Sequence, residues 1–457
     1  MKAIRAKHAL RSLRCLASTA AFIVFVGCGQ RSDVQSGSSS SNVVSSGVES
    51  HSADSIVNAK DLDKCVVLNQ EICPGTVVDT VGCSDAAPGI NSCLNAENAN
   101  LALPPGTYLI KSTINIKYDG ITLSTQGLSN DTTTCMKDSS SKKCAVILAA
   151  NDFCENAMLW IGTEKTPVNR VTIDHIALDG ALQTRIVNGN ANCRSKGRGR
   201  NLMELGGANN TLRYSASVNA VGGTAVGWAV AKTGKSSIIH RNYIANNGNG
   251  LPDTNYWSDG LTIGKVSNSF ISGNLFLDNT DVDFVIGGAI NTKFNGNTIK
   301  HSKKRSFAAF MLTNWSNRRK PETAQWADFR GFDIANNVFD CNSKVDICVQ
   351  IGIFPWFYDL THWTRFRTMG GSLHNNRIST DLQGVNVGGG GTLKYPFVMF
   401  DNVIDARSTS GQIGFGDRKT RSLGKLNVYK RGAENFIKDG LDGDVTGDQD
   451  DPWHSIF

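Results

Sequence analysis

The stretch SFISGNLFLDN (269–279) decides the fold, because its pattern returns along the chain. A short run of alternating apolar and polar residues surrounds an Asn, and TKFNGNTIKHS (292–302) repeats the arrangement. Such alternation, closed by a turn residue, is typical of short strands. With the Asn as anchor, the copies stand 32, 23, 40, 39 and 26 residues apart, at Asn242, Asn274, Asn297, Asn337, Asn376 and Asn402.

A short minimum step with irregular insertions favours stacked coils. One coil of three short strands and three turns cannot bury its inward side chains alone, so coils stack and extra residues leave as loops. An Asn at each bend tolerates left-handed backbone angles, and its amide can bond the equivalent Asn one coil away. A propeller or a sandwich would give steadier or shorter spacing. We therefore expect an all-β chain, a right-handed parallel β-helix over residues 61–435, with disulfide-pinned loops.

The N-terminus has the pattern of an export signal. A basic segment, MKAIRAKHALRSLR, precedes the short apolar segment CLASTAAFIVFVGC. FVGC resembles the lipobox of bacterial lipoproteins, which implies lipidation of Cys28. We expect a signal peptide at 1–28, a Ser/Gly-rich tether at 29–60 and an acidic tail at 436–457. The protein would be exported, anchored by lipid to the bacterial cell envelope, or secreted without an anchor.

Cysteine usage agrees with export. Of 12 cysteines, Cys15 lies in the signal and Cys28 at the lipid site, which leaves 12 − 2 = 10. An even number in close neighbours predicts local disulfides, whereas zinc is disfavoured because no CxxC pair or spaced His accompanies them. The neighbours are Cys65/Cys73, Cys83/Cys93, Cys135/Cys144, Cys154/Cys193 and Cys341/Cys348.

The segment LPPGTYLIKSTINIKYDGITLSTQG (103–127) resembles the opening coil of the pectate-lyase/polygalacturonase superfamily. The resemblance extends over roughly residues 60–410 and implies the parallel β-helix. It implies fold more strongly than chemistry, because this scaffold carries lyases, hydrolases, epimerases, phage tailspikes and adhesins.

Three carboxylates interrupt an apolar stretch, at Asp259, Asp281 and Asp283. Measured from the Asn anchors, they occupy equivalent points of adjacent coils, about 4.8 Å apart. Alternation of side chains along a strand predicts that Asp281 and Asp283 face the same side. Clustered acids cost stability unless they share protons or bind a cation, so we expect a function in acid–base chemistry or in calcium binding. The alternative is that Asp259 and Asp281 cap turns.

The order of Asp259, the Asp281/Asp283 couple and His301 is similar to the catalytic order of polygalacturonase-like hydrolases, which implies a catalytic role for all four. The couple is Asp-Val-Asp rather than Asp-Asp, and His301 lacks glycine neighbours. SDGLTIGK (258–265) is similar to a pectate-lyase calcium segment, although Ile263 stands where a second acid belongs.

Aromatic and basic residues near these acids are expected to hold a substrate. Aromatic faces stack on sugar rings, and cations pair with acidic groups. The net charge of +7 suits an acidic glycan without requiring one. The expected substrate-binding residues are Tyr256, Trp257, Lys303, Arg305, Trp315 and Arg318.

We therefore expect an exported polysaccharide-cleaving enzyme, foremost a glycoside hydrolase. A uronate lyase or epimerase is the alternative enzyme, and a non-catalytic glycan-binding surface protein is the alternative outside catalysis. The expected partners are a polysaccharide, with an acidic one left open, and a membrane through the lipid anchor, but no nucleic acid. No metal ligand is assigned, and calcium stays open as a cofactor.

Overall fold

The computed structural model describes residues 68–137, 143–163, 165–187, 201–228, 234–249, 256–314, 327–352, 368–388, 395 and 397–406, with short strands up to 438. The expected signal peptide, Cys28 and the tether lie outside these residues. Only two helices occur among them, Ala87–Cys93 and Leu182–Val187. Neither of these described helices is long and apolar enough to cross a membrane.

Nearly all other regular structure is strand, in three long sheets that the chain visits in turn. Each coil contributes one strand to an eleven-stranded, then a twelve-stranded, then a ten-stranded sheet. Neighbouring strands are parallel, except that Leu426–Tyr429 and Phe436–Lys438 pair antiparallel at the end of the twelve-stranded sheet. The expected parallel β-helix is confirmed.

The eleven-stranded sheet comprises Asn100–Leu103, Thr122–Thr125, Thr172–Asp174, Thr211–Arg213, Ile238–His240, Phe270–Ser272, Lys293–Asn295, Asp333–Ala335, Ser372–His374, Phe397–Phe400 and Thr420–Ser422. The twelve-stranded sheet comprises Gly106–Ile110, Ala145–Ala149, Ile176–Asp179, Ala216–Val218, Tyr243–Ala245, Leu275–Leu277, Thr298–Lys300, Val338–Asn342, Arg377–Thr380, Val403–Ala406, Leu426–Tyr429 and Phe436–Lys438. The ten-stranded sheet comprises Ile114–Ile116, Ala157–Ile161, Asn201–Leu205, Gly223–Trp228, Ser258–Ile263, Val282–Ile286, Ser306–Leu312, Val345–Gly352, Gln383–Gly388 and Ile413–Phe415.

Smaller elements complete the coils. Asn69–Cys73 and Thr76–Asp79 form an antiparallel pair before the first coil, and the helix Ala87–Cys93 buries Ala87 and Ile90 beside it. The remaining short strands are Gly234–Lys235, Val266–Ser267 and Ala289–Ile290 in one sheet, and Ala327–Asp328 and Thr368–Met369 in another.

Inward side chains of all three sheets form one continuous core. In its middle, phenylalanines contact one another between sheets and between coils. The ring centroids of Phe284 and Phe294, from different sheets, lie 4.4 Å apart, and those of Phe284 and Phe310, on adjacent strands of one sheet, lie 5.1 Å apart. Large apolar surface is therefore buried along the axis, which is what stabilises a solenoid whose coils cannot fold singly.

The Asn anchors form the expected ladder between the eleven- and twelve-stranded sheets. The side-chain amide of Asn242 donates to the side-chain oxygen of Asn274 at 2.9 Å, and Asn274 donates to Asn297 at 2.9 Å. The ladder continues through Asn337 and Asn376 to Asn402. The left-handed residue is the one before each anchor, rather than the anchor itself, as at Arg241 (φ 51°).

A second, shorter ladder lies at the bend between the twelve- and ten-stranded sheets. The amide of Asn247 donates to Asn279 at 2.7 Å, and the amide of Asn279 donates to the carboxylate of Asp283 at 2.8 Å. All three side chains are buried. Asp283 thus accepts a hydrogen bond at the end of this ladder.

Disulfides join neighbours, as expected, but two of the expected pairs are wrong. Cys135–Cys144 and Cys341–Cys348 are present, whereas Cys73 pairs with Cys93. Cys65/Cys73 and Cys83/Cys93 are therefore excluded. Separation along the chain misled here, because the antiparallel strand pair and the following helix bring Cys73 beside Cys93, with Cα atoms 6.0 Å apart.

Candidate functional site

Two adjacent strands of the ten-stranded sheet, Ser258–Ile263 and Val282–Ile286, position the predicted acids. Leu261 pairs with Phe284, so Asp259 stands level with Val282 on the next coil. The backbone N–H of Val282 donates to Asp259 Oδ1 at 3.2 Å, and the Thr262 hydroxyl donates to Asp259 Oδ2 at 2.6 Å. The Asp259 carboxyl is therefore held on the outer face of the sheet, at the edge of the next coil.

The structure brings Asp259 and Asp281 together, and their carboxyls share a hydrogen bond. Burial raises the pKa of Asp259 to about 6, although the hydrogen bonds from Thr262 and Val282 oppose the rise. Burial, followed by the charge of Asp259, raises the pKa of Asp281 well above its usual range. The pair therefore retains a shared proton to higher pH than isolated carboxyls would.

Asp283 does not face the same side as Asp281, so that expectation is wrong. Its side chain is fully buried, next to Phe284 of the core. A bend in the strand places Asp283 and Phe284 both inside, while Val282 packs in a separate outer cluster. Gly260 on the preceding coil permits this, because a Cβ there would lie 2.5 Å from the Asp283 carbonyl oxygen.

His301 is buried with Asp283 rather than placed beside Asp259. Its Nε2 lies 2.5 Å from Asp283 Oδ2, and its Nδ1 lies 3.0 Å from the Lys304 carbonyl. Burial works against a charge on His301, but the charge and hydrogen bond of Asp283 and the Lys304 carbonyl raise the pKa of the imidazole. This pair is an internal ion pair, and fully buried side chains cannot contact a substrate.

A carboxyl that the sequence analysis missed, Glu204, lies on the same outer face. Glu204 pairs with Trp160 on the preceding coil and with Gly227 on the next coil. Gly227 in turn pairs with Thr262 one coil further on. The Asn201 amide donates to Glu204 Oε1. Glu204 Oε2 is buried and has no hydrogen-bond partner in the part of the chain that the structure describes.

The Glu204 carboxyl titrates near neutral pH. Burial raises the pKa of Glu204 to about 7, despite the hydrogen bond from Asn201. Its carboxyl leans over Gly227, where a Cβ would lie 2.6 Å from Oε2. Only Gly227, which has no side chain, lies between Glu204 and Thr262. The Thr262 hydroxyl is the group that donates a hydrogen bond to Asp259. Single acids in strand sequences are common, and NLMELGG (201–207) carries no signal that would have singled it out.

The other residues that were predicted to bind substrate are less favourably placed for that role. The Arg305 guanidinium bonds Asp346 on the following coil at 2.8 Å, and Lys303 is exposed in the turn before it. Tyr256 packs on Leu182 and Val221 and so supports a loop.

Of the two predicted aromatics that the structure describes, Tyr256 and Trp257, only Trp257 is exposed, at 38%. Trp315 and Arg318 lie outside the described residues. Calcium binding finds no support in the described ranges, where no group of three or more His, Cys, Asp or Glu residues could hold a metal ion.

No model of a known protein family matches the chain, and no curated protein matches it in sequence. Solved structures resemble it at low identity. The endo-xylogalacturonan hydrolase of Aspergillus tubingensis is 14% identical with a TM-score of 0.41, over 79% of this chain and 87% of that one. The tailspike of E. coli bacteriophage HK620, solved with a pentasaccharide, is 10% identical with a TM-score of 0.48, over 77% and 63%.

A protein of Geobacillus virus E2 is 15% identical with a TM-score of 0.45, over 78% of this chain. The chain spans about six tenths of the length of the two viral proteins, at 61% and 63%. These similarities concern the fold, which the parallel sheets establish by themselves.

Proposed function

We propose that the protein is a glycoside hydrolase whose active site is formed by Glu204 and the Asp259–Asp281 pair. Two carboxyls in direct hydrogen bond are too close to flank a glycosidic bond, since glycosidases hold theirs about 5–9.5 Å apart. Glu204 supplies the separated partner. Its backbone lies about two coil spacings, or ~10 Å, from that of Thr262, whose hydroxyl binds the Asp259 carboxyl, and the Glu204 carboxyl leans over Gly227 on the coil between them.

The protonation states at neutral pH support this division of roles. Glu204 keeps a proton near pH 7, whereas Asp259 ionises above about pH 6. Glu204 would protonate the glycosidic oxygen as the C–O bond breaks. Asp259 would take a proton from the water that attacks the anomeric carbon, and Asp281 would hold Asp259 in place through their hydrogen bond. The proposal rests above all on one observation: Glu204, which keeps a proton near pH 7, and Asp259, which ionises above about pH 6, lie on the same outer face.

Elimination of a uronate needs a base that is free to accept a proton, and the hydrogen bonds of Lys304 do not leave it free. Burial lowers the pKa of Lys304 to about 8, which is a suitable value for a base. Its ammonium, however, donates to the backbone carbonyls of Asn246 at 2.8 Å and Gly248 at 2.7 Å. Hydrolysis is therefore preferred to a lyase or epimerase reaction.

The test is to incubate the purified protein with plant, algal and bacterial polysaccharides and analyse the products. New reducing ends without absorbance of an unsaturated uronate are expected. Glu204→Gln should lower turnover about 10²–10⁴-fold, the typical contribution of a general acid. Unsaturated products would indicate a lyase, and binding without any cleavage would indicate a non-catalytic glycan-binding protein.

Export and lipid anchoring at Cys28 are part of the proposal, supported by the FVGC segment. Labelled palmitate should enter the wild-type protein expressed in a bacterial host. Cys28→Ser should lose the label and move the protein from the membrane to the soluble fraction; a variant that stays labelled would exclude this anchor.

A further inference from the structure

A cavity of about 430 Å³ opens on the N-terminal coils, near the proposed active site. It lies where the helix Ala87–Cys93 meets the first strands of the ten-stranded sheet. The residues that line it are mostly uncharged and polar, with one half-buried indole among them. They include Asn91, Ser112, Asn115, Glu155, Asn156 and Trp160.

Strand pairing connects this cavity to Glu204. Asn115 pairs with Trp160, and Trp160 pairs with Glu204, so the three side chains stand on consecutive coils in one outward column. Consecutive coils are about 4.8 Å apart, which is close to the length of one sugar unit in an extended glycan. A chain that places its scissile bond at Glu204 and continues along the column therefore reaches Trp160 within one or two units.

The opposite direction along the sheet is closed to a polar ligand. Beyond Asp259 the outer face carries Val282, Val285, Ala308 and Met311, which are buried together in an apolar cluster. Burying sugar hydroxyls there without hydrogen bonds would be unfavourable. A bound glycan is thus directed toward the N-terminal coils.

The cavity offers the groups that a sugar ring needs. Asn91 and Asn115 are fixed, because both amides donate to the Thr113 carbonyl at 3.0 Å. Ser112 and Asn156 have no side-chain hydrogen bond within the described residues, so their donors and acceptors are free. The half-buried indole of Trp160 provides an apolar face for the C–H groups of a ring.

The charge of the cavity selects against acidic sugars. Its only charged lining residue in the described part of the chain is Glu155, and no Lys or Arg lines it there. A uronate or sulfated sugar would be repelled by the Glu155 carboxylate and would find no cation. The overall charge of +7 therefore does not describe this site.

We propose that this cavity is a binding subsite for an uncharged sugar unit, with Trp160 as the stacking platform, in the same cleft as Glu204 and Asp259. The assignment deepens the proposed hydrolase activity, and it names a neutral polysaccharide as the substrate class. It also assigns the glycan a direction, from the Asp259–Asp281 pair toward the first coil.

The test uses the full chain carrying Asp281→Asn, to slow turnover, and titrates it with cellohexaose, xylohexaose, mannohexaose, laminarihexaose and hexagalacturonate. At least one neutral hexasaccharide should bind and hexagalacturonate should not. Trp160→Ala should weaken that binding about tenfold, and Trp160→Phe should restore most of it. Phe270→Ala, which removes an exposed aromatic from the eleven-stranded sheet, is the matched control and should bind as well as the parent.

Glu155→Lys gives an independent readout, because it should allow hexagalacturonate to bind. Failure of all neutral probes to bind, preference for hexagalacturonate in the parent, or indifference to Trp160→Ala would overturn the subsite. If Trp160→Ala cleaves a glycan with an unchanged KM, the hydrolase proposal is supported and the subsite is excluded. If the parent protein cleaves no glycan but Trp160→Ala loses binding of a neutral glycan, the subsite is supported and the hydrolase proposal is excluded.

Discussion

At the scale of single residues, burial rather than sequence neighbourhood sets the chemistry of the acids. Asp281 and Asp283 are two residues apart, yet one shares a proton on the outer face and the other is paired with His301 inside. Glu204, which has no acidic neighbour along the chain, is raised in pKa by burial alone. The environment of each carboxyl thus separates a catalytic candidate from a structural one.

Glu204 should make stability depend on pH. Its pKa is raised from 4.5 to about 7 in the folded protein, so its stabilising contribution is complete below pH 4.5 and is lost as pH rises through 7. In Glu204→Gln this dependence is absent. The free energy of unfolding of the wild type relative to the variant should fall by up to about 3 kcal/mol between pH 4.5 and 8. Urea unfolding at several pH values measures it, and a constant difference would contradict a buried, protonated Glu204.

Asp281 should matter for turnover and little for folding. Asp281→Asn keeps a hydrogen-bond donor toward Asp259 but removes the shared proton, so turnover should fall about 10²–10⁴-fold while the thermal transition stays within a few degrees. Reducing-end assays and calorimetry on the same preparation separate the two effects. A collapse of folding would instead indicate that Asp281 acts as a turn cap.

At the scale of elements, the bends between strands hold the coils in register. Each anchor Asn joins its own bend to the next by a backbone and a side-chain bond, as Asn274 does with Asn297 at 3.0 and 2.9 Å. These bonds lie inside the protein, where an unpaired polar group is costly.

Asn297→Ala should interrupt this ladder. The backbone and side-chain N–H groups of Asn274 would both lose their acceptor while buried, and the free energy of unfolding should fall by about 2–5 kcal/mol. Asn295→Ala is the control, because that half-exposed side chain makes one long contact of 3.5 Å. Equal losses in both variants would argue against the ladder as the source of stability.

Gly260 should be indispensable for the bend at Asp283. In Gly260→Ala the new Cβ would meet the Asp283 carbonyl oxygen at 2.5 Å, a backbone atom that cannot move aside cheaply. A loss of about 1–3 kcal/mol is expected, as for other overpacked cores. Gly222→Ala, whose Cβ would have its nearest contact at 3.6 Å, should be tolerated. Chemical denaturation of the two variants gives the comparison, and a neutral Gly260→Ala would show that the strand can shift.

At the scale of the whole molecule, the solenoid is stabilised by stacking and by covalent links at particular places. Cys73–Cys93 ties the strand pair before the first coil to the helix that follows, over 20 residues. Cys341–Cys348 closes only 7 residues in the middle of the solenoid. The two links constrain the unfolded chain to different degrees.

Removing the longer link should cost more. The double variant Cys73→Ala with Cys93→Ala should lose about 3 kcal/mol of unfolding free energy, and Cys341→Ala with Cys348→Ala about 2 kcal/mol, from loop entropy alone. Urea midpoints under non-reducing conditions measure both. A larger loss from the Cys341–Cys348 pair would mean that packing inside the solenoid, rather than chain entropy, sets the contribution.

The sequence by itself determined the fold and its internal ladder. Asn recurs at the same point of each coil, and a buried amide that must bond its neighbour above and below leaves little choice of architecture. It also indicated that Asp259 and Asp281 belong to adjacent coils, because the spacing from Asn274 and Asn297 fixes their level.

Only the tertiary structure decided which acids meet. A bend turned Asp283 inward, against the alternation of an ideal strand, and stacking of coils placed Glu204 over Gly227, two coils from Asp259. It also paired Cys73 with Cys93. The physical reason is common to all three: spacing along the chain sets the level of a residue in a solenoid, while the side it faces depends on local backbone bends and on the coil that packs against it.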